Sequence, residues 1–310
     1  MPRADARPMN STGEASAPLM LPRGASTVVV GDERDLTVVA VLRGLNGDWE
    51  PHIRRFLENI VQADWVCVDI GANIGAHTLA MASMASKGTV VAFEASPRSF
   101  GYLSRNIADL PAPKARVKLV NRALWSEPGQ LNLAAVAELP GCSFVTPSAD
   151  VAQSEALLRE VINPEDVAGV ELHIGIETID AITLDAWVRE SGLERIDLIK
   201  LDVEGSESRV LQGAEDVLRK YAPILITEYA PPCHRSFLGA EPQAYFEQLL
   251  NLFAGVFIIE EDGSLSPIDE WATLSSRLET GKGWEDLACM PPNAPRSFIG
   301  TFISGLFRRS

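Results

Sequence analysis

Five acidic residues of this chain stand in or just after apolar runs, and that placing makes them candidates for chemistry. Asp69 lies within the run at 66–70, and Glu94 follows the run at 89–93. Asp202 and Glu204 follow the run at 196–201, and Glu228 follows the run at 224–227. Carboxylates are seldom fully buried unless paired, so each asks for a partner or a ligand. Asp202 and Glu204 belong to the stretch Lys200-Leu-Asp-Val-Glu-Gly205. In an extended segment, residues i and i+2 face one side. Two acids on one side of a crevice can act in three ways. One can accept the proton of a hydroxyl as a general base. Both, with Glu228 or His234, can hold a divalent ion, since Mg²⁺ prefers carboxylate oxygens and water. Or they neutralise Lys200, a cation in an apolar run that must reach a carboxylate or water, and place negative charge at the start of the next helix.

A second constellation begins at Asp69, just before the tight turn Gly-Ala-Asn-Ile-Gly at 71–75. A turn at the C-terminal end of a parallel strand opens into a crevice where ligands bind. Asp69 is placed to meet a cationic group of a ligand or to fix the amides of the turn. Gly71 has no Cβ, so a ligand can approach its backbone, and Gly75 serves close packing of a helix on the sheet. Glu94, at the tip of the next strand, can take both hydroxyls of a ribose. Asn121 and Ala123 follow the run at 117–120, where an adenine would meet a backbone amide or the Asn121 side chain. An ordinary turn asparagine is the competing reading. The expected nucleoside-cofactor set is therefore Asp69, Gly71, Asn73, Gly75, Thr78, Glu94, Asn121 and Ala123. The dinucleotide fingerprint needs glycine at its first, third and sixth positions, so that a pyrophosphate can sit on the helix N-terminus. Here the third position is Asn73 and the sixth is Ala76. That departure favours S-adenosylmethionine over a nicotinamide dinucleotide.

The elements that must position these residues read as alternating strands and helices. The uninterrupted apolar runs suit strands buried on both faces of a parallel sheet. Helical spacing appears at 77–86, closed by Lys87-Gly88, and at 97–110, with Phe100, Leu103 and Ile107 on one face. It recurs at 184–191, 209–221 and 243–253. Segments 130–136 and 178–184 read as strands, and 256–260 and 287–290 as closing antiparallel strands. The fold class is an α/β, doubly wound, seven-stranded sheet, Rossmann-like, mostly parallel with an antiparallel edge strand. Upstream, 28–30 and 36–42 read as strands, and 49–61 as a lid or packing helix carrying Ile53, Phe56, Leu57 and Ile60. His52 there reads as a solvent-facing or packing residue. Segment 139–175 is the least regular, with one helical run at 153–161; an insertion this long is more often functional than idle.

At this point the chain resembles a known family. The stretches DIGANIGAHT, AFEASPRSFGYLSRN and IDLIKLDVEGSESRVLQGA look like three motifs of the FkbM-type S-adenosylmethionine-dependent methyltransferases. The resemblance covers residues 64–229, with a looser tail to 290. The glycine turn is shared by many methyltransferases; its pairing with 200–205 narrows the family. The resemblance implies the class I methyltransferase fold, S-adenosyl-L-methionine as cofactor, and O-methylation, often of sugar or polyketide hydroxyls in secondary metabolites and surface glycans. The expected acceptor is then a small molecule or a glycan. Asp202, Glu204 and Glu228 become the candidates for the base, or for Mg²⁺ ligands.

Totals narrow the classes further. A composition 46% apolar over 310 residues supports a substantial core. The formal net charge is -15, with 27 Lys and Arg against 42 Asp and Glu. Phosphate backbones need clustered cations, so a nucleic-acid partner is not expected. Cys67, Cys142, Cys233 and Cys289 show no CxxC spacing, which fits a reducing cytoplasm. No apolar stretch reaches the roughly 18 residues that a spanning helix needs, and the first residues lack the apolar region of a signal peptide. The expected divisions are a disordered arm at 1–26, strands and a lid helix at 27–63, and a methyltransferase domain at 64–292 with an insertion at 131–177. A tail at 293–310 carries Phe298, Phe302 and Phe307 near one face, suited to its own domain or a homodimer partner, with a membrane surface as the alternative. Two other functions stay open. A non-catalytic cofactor-binding or scaffold protein would keep Asp69, Gly71 and Glu94 and need no base. A nicotinamide-dependent oxidoreductase would bind a dinucleotide instead.

Overall fold

The computed structural model describes residues 13–109 and 116–292. In chain order, β1 (Glu14–Met20) and β2 (Ser26–Asp32) form an antiparallel hairpin. Helices α1 (Val39–Gly44) and α2 (Pro51–Ile60) follow. The first half of the core is β3 (Val66–Ile70), α3 (Ala76–Met84), β4 (Thr89–Phe93), α4 (Pro97–Ala108) and β5 (Arg116–Val120). Next come β6 (Ala123–Leu124), β7 (Gly129–Val136), β8 (Phe144–Thr146), α5 (Val151–Val161) and β9 (Ile174–Ile182). The second half holds α6 (Leu184–Ser191), β10 (Leu198–Leu201), α7 (Glu207–Gln212), α8 (Glu215–Tyr221) and β11 (Ile224–Tyr229). It closes with α9 (Pro231–Leu238), α10 (Pro242–Leu252), β12 (Gly255–Ile259), β13 (Leu265–Pro267), α11 (Trp271–Thr280) and β14 (Glu285–Met290).

The main sheet has eight strands in the order β13-β12-β14-β11-β10-β3-β4-β5. Neighbours from β11 to β5 pair in parallel, and β14 is antiparallel to both β11 and β12. The expectation of seven strands with an antiparallel edge is thus corrected. The antiparallel β14 lies inside the sheet, and a β12–β13 hairpin adds an eighth strand. β13 is only Leu-Ser-Pro, too short to carry a periodic signal. Alternation along the strands feeds two cores. Val68, Ile70, Val91 and Phe93 point to one face, against Trp187, Val210, Leu211, Phe246 and Leu249. Cys67, Val90 and Leu198 point to the other, against Phe56, Leu57, Met81 and Met84. Both faces are therefore covered by helices, as the unbroken apolar runs require.

Upstream of the core, two expectations change. Residues 14–20, taken as part of a disordered arm, form β1, whose alternate residues Ala15, Ala17 and Leu19 are buried. Small alanines supply that alternation, so composition alone disguised it. Residues 1–12 of the expected arm, and the whole tail 293–310, lie outside the described residues. The expected strand at 36–42 is instead a turn and α1. Asp35 accepts from the amides of Thr37, Val38 and Val39 at 2.8, 2.9 and 3.3 Å. That capping outweighs the strand preference of the valines.

Two more changes concern the core. The helix read over 209–221 is two helices, broken at Gly213. A Cβ there would overlap the Trp125 carbonyl oxygen, so the chain bends where a strand-end loop crosses it. The region between β6 and β9 is more ordered than its sequence suggests: β6, β9, β7 and β8 form a second, four-stranded sheet.

Candidate active site

The C-terminal ends of β4, β3, β10 and β11 share one rim, and a cleft of about 430 Å³ opens along it. The turn after β3 forms its floor. The amides of Gly71 and Ala72 both donate to the Phe93 carbonyl, at 3.0 and 2.9 Å, which ties the turn to the end of β4. Gly71 has φ +82, and a Cβ there would overlap the Asp202 carbonyl, so this position needs glycine on two counts. Gly75 has φ +99 and lets Leu103 of α4 close to contact, so it serves packing against a helix and not the helix-on-sheet packing expected.

Glu94 closes one end of the cleft. Its carboxylate accepts from the Asn73 amide at 2.7 Å and from the Ser96 amide at 2.8 Å. Burial pushes its pKa up to about 7, and the two amides hold it from going further. Asp69 is fully buried, and its Oδ2 accepts from the Thr78 hydroxyl at 2.5 Å. Its Oδ1 is buried with no hydrogen-bond partner among the described residues. Asp69 therefore does not fix the amides of the turn; one oxygen is held by Thr78 and the other is left for something else.

The expected cofactor set divides in two. Asp69, Gly71, Asn73, Glu94 and Ala123 line the cleft. Thr78, Gly75 and Asn121 stand behind that lining. The Asn121 amide nitrogen donates to the carbonyls of Glu94 and Ala95 at 2.8 and 3.2 Å, so it braces the Glu94 loop.

The acids gather at the other end. Asp202, Glu204 and Glu228 each bring a carboxylate oxygen to within 4.8 Å of the others. They converge by a route different from an extended strand, because Glu204 has a left-handed backbone (φ +53) and Gly205 follows it at φ +85. The buried Glu207 carboxylate fixes that bend by accepting the amides of Val203 and Gly205 at 2.9 and 3.3 Å. Lys200 donates to Asp202 at 2.7 Å. Burial opposes the charge on Lys200, but Asp202, Asp69 and Glu50 outweigh it and hold its pKa above the ordinary value. Burial and then the neighbouring carboxylates hold Glu204 and Glu228 well above the usual carboxylate range.

His234 does not join this group. It is buried behind it, with Nδ1 3.2 Å from the Gly205 carbonyl and 3.7 Å from Glu207. Burial lowers its pKa to about 4.

The sequence reading missed Glu50, His77, Trp49 and Trp284, which also line the cleft. Glu50 precedes Pro51 at the start of α2, and its carboxylate lies 2.6 Å from His77 Nε2. Burial would raise the Glu50 pKa, but His77, Lys200 and His52 bring it down to about 2. His52, read as a solvent-facing or packing residue, is buried and bonded through Nε2 to Asp286 at 2.7 Å. The available signal was a Glu-Pro-His at a helix start, which marks a cap but not its distance to a turn some twenty residues on.

A doubly wound sheet, a glycine turn after its first core strand, and an acid at the tip of the next define a methyltransferase-like α/β protein. The chain belongs to the family described as the methyltransferase FkbM domain, which it matches over residues 69–255. It is 33% identical over 156 residues to methyltransferase sdnD of Sordaria araneosa, a match covering 48% of this chain and 60% of that protein. It is 28% identical over 181 residues to 2-O-methyltransferase NoeI of Sinorhizobium fredii, covering 57% of this chain and 68% of that one. The chain thus spans three fifths of the sdnD sequence. A crystal structure of methyltransferase FkbM from Methylobacillus flagellatus is similar with a TM-score of 0.37 and 18% identity, over 60% of this chain and 38% of that one.

Proposed function

We propose that this protein transfers a methyl group from S-adenosyl-L-methionine to a hydroxyl oxygen of a sugar, glycan or polyketide-type secondary metabolite. The observation that carries the reading is the shared cleft: Glu94 at one end, Asp202, Glu204 and Glu228 at the other, and Asp69 and Gly71 on the strand between them. The residues fit the cofactor. Asp69 presents a buried, unpartnered carboxylate oxygen to a ligand that is cationic, and Glu94 presents a carboxylate at the strand tip for ribose hydroxyls. When bound, the cofactor supplies the methyl group as an activated sulfonium. A relative carrying 2-O-methyltransferase in its name supports oxygen as the acceptor atom.

The chain's own residues then have two tasks. Methyl displacement needs the acceptor oxygen in line with the methyl carbon, mainly a matter of positioning. The cleft supplies walls for this in Trp49, Trp284 and Val203. An alcohol is a poor nucleophile until its proton leaves, so a base is wanted. Asp202, with Glu204 and Glu228 beside it, is that base in this reading. The same three carboxylates would hold a divalent ion such as Mg²⁺, which would acidify a hydroxyl brought to it. Three acids this close to one lysine favour either a retained proton or a bound cation.

The acidic total argues for a neutral or cationic acceptor and against a nucleic acid. Four free cysteines suit a reducing cytoplasm, and no helix among the described residues is long and apolar enough to cross a membrane. The test is to incubate the protein with methyl-labelled cofactor and a panel of glycosides and polyketide alcohols, with and without Mg²⁺. Label in an ether linkage supports the reading. Tight cofactor binding with no label transferred to any acceptor would favour a non-catalytic binder.

A further inference from the structure

Glu50 is a charged residue with no part in the chemistry above, yet it lines the cleft and is held in an unfavourable backbone state. Its φ is +36 and its ψ is 66, a left-handed conformation that residues other than glycine seldom take. Such conformations persist where the surroundings impose them, and they cluster at ligand sites. Here the surroundings are His77, at the start of α3, and Pro51, which begins α2. Glu50 also lies outside residues 69–255, the stretch matched to the family.

The sheet order says which part of a ligand would reach it. β3 lies between β4 and β10. Glu94 ends the β4 side, and Lys200 stands on the β10 side, directly across from Asp69 in the register. Adjacent strands are about 4.8 Å apart. A nucleoside cofactor with its ribose at Glu94 therefore crosses the end of β3 and carries its amino-acid arm towards β10. Around that end stand three carboxylates, Asp69, Asp202 and Glu50, all close enough to act on the Lys200 ammonium. Lys200 is the one cation that acts on all three, and Asp69 Oδ1 is buried there with no hydrogen-bond partner among the described residues. Asp202 is taken by Lys200 at 2.7 Å, Glu50 Oε2 by His77 at 2.6 Å and Asp69 Oδ2 by Thr78, so Asp69 Oδ1 and the second oxygen of Glu50 remain.

We propose that Glu50, braced by His77, binds the ammonium group of the cofactor's amino-acid arm, opposite Asp69. The proposal rests on the cofactor reading and assigns a binding role to a residue upstream of the family domain. It makes affinity depend on the arm, and it makes the segment before α2 part of the cofactor site.

Isothermal titration of the full chain with two ligands separates this role from a structural one. S-adenosylhomocysteine carries the arm, and 5′-methylthioadenosine lacks it. Glu50→Gln should weaken the first about 10- to 100-fold, the range for one lost hydrogen bond to a charged group, and leave the second unchanged. Glu50→Asp, which keeps the charge and shortens the reach, should show the same pattern and serves if the first variant does not fold. The unaltered protein should also discriminate against the deaminated analogue of S-adenosylhomocysteine. Parallel losses for both ligands, no loss for either, or equal binding of the deaminated analogue would overturn the proposal. Absence of any binding by the unaltered protein would instead remove the cofactor reading on which it stands.

Discussion

Gly71 and the Asp202 carbonyl are in backbone contact: a side-chain carbon on the glycine would occupy the space of that oxygen. The glycine turn and the acid segment, 131 residues apart in number, are thus one mechanical unit, reinforced by the Asp202 amide donating to the Ile70 carbonyl at 3.0 Å. Gly71→Ala must move one against the other and also place alanine at φ +82. It should destabilise the fold by about 3 kcal/mol or more. Gly101→Ala, in exposed space on α4, is the control and should stabilise by about 0.5–1 kcal/mol. Thermal melts of both variants check the pair.

Glu94 gives a pH dependence with a definite sign. Its carboxyl is pushed up to about 7 in the ligand-free protein, so it is largely neutral below that pH. Accepting two ribose hydroxyls needs the ionised form. Affinity for S-adenosylhomocysteine should therefore be flat above about pH 8 and fall about tenfold per unit below 7, with one proton released on binding. The stability of the ligand-free fold runs the other way. A carboxyl raised in the folded state contributes most below its unfolded pKa, and that contribution is lost as pH rises through about 7. Titrations at several pH values should show Glu94→Gln binding weakly and without the slope.

The acid trio should behave as crowded like charges. Glu228→Gln removes one of three carboxylates that lie within 4.8 Å of one another. It should raise the stability of the metal-free protein by about 1 kcal/mol while lowering activity, the usual opposition between a functional site and stability. Mg²⁺ should raise the melting temperature of the unaltered protein more than that of the variant. Asp202→Asn should cost about 10²–10⁴ in methyl-transfer rate and leave cofactor affinity within a few fold. A variant with full activity would return Asp202 to a structural role beside Lys200.

The N-terminal hairpin should be part of the folding unit. Truncation through Met20 removes β1 and uncovers Val29, Val38 and Leu42, all buried in one cluster with Leu19. The melting temperature should fall by several degrees, since burial of each such side chain is worth about 1.5–3 kcal/mol. An unchanged melt would show that β1 is dispensable.

The sequence shows some of this more plainly than the rest, for physical reasons. Core strands declare themselves because both faces are buried, so β3, β4, β10 and β11 read as apolar runs. The glycine turn and Glu94 are visible because their roles are set by neighbours in sequence. β1 is hidden because its buried residues are mostly alanine, and α1 because Asp35 supplies a cap that overrides three valines. Glu50 and His77 are hidden for a different reason. Their 2.6 Å contact joins the start of α2 to the start of α3, 27 residues away, and no local period records such a meeting. Glu207 likewise looks like a helix-start acid, and only the fold shows that it holds the bend carrying Glu204.

The central claim is that this cleft takes S-adenosylmethionine, and calorimetry tests it directly. The protein should bind S-adenosylhomocysteine and give no heat with NAD, and Glu94→Ala should weaken that binding by about 1.5–3 kcal/mol, the worth of a charge-assisted hydrogen bond. Absence of heat with S-adenosylmethionine and S-adenosylhomocysteine, with NAD binding in their place, would contradict the account.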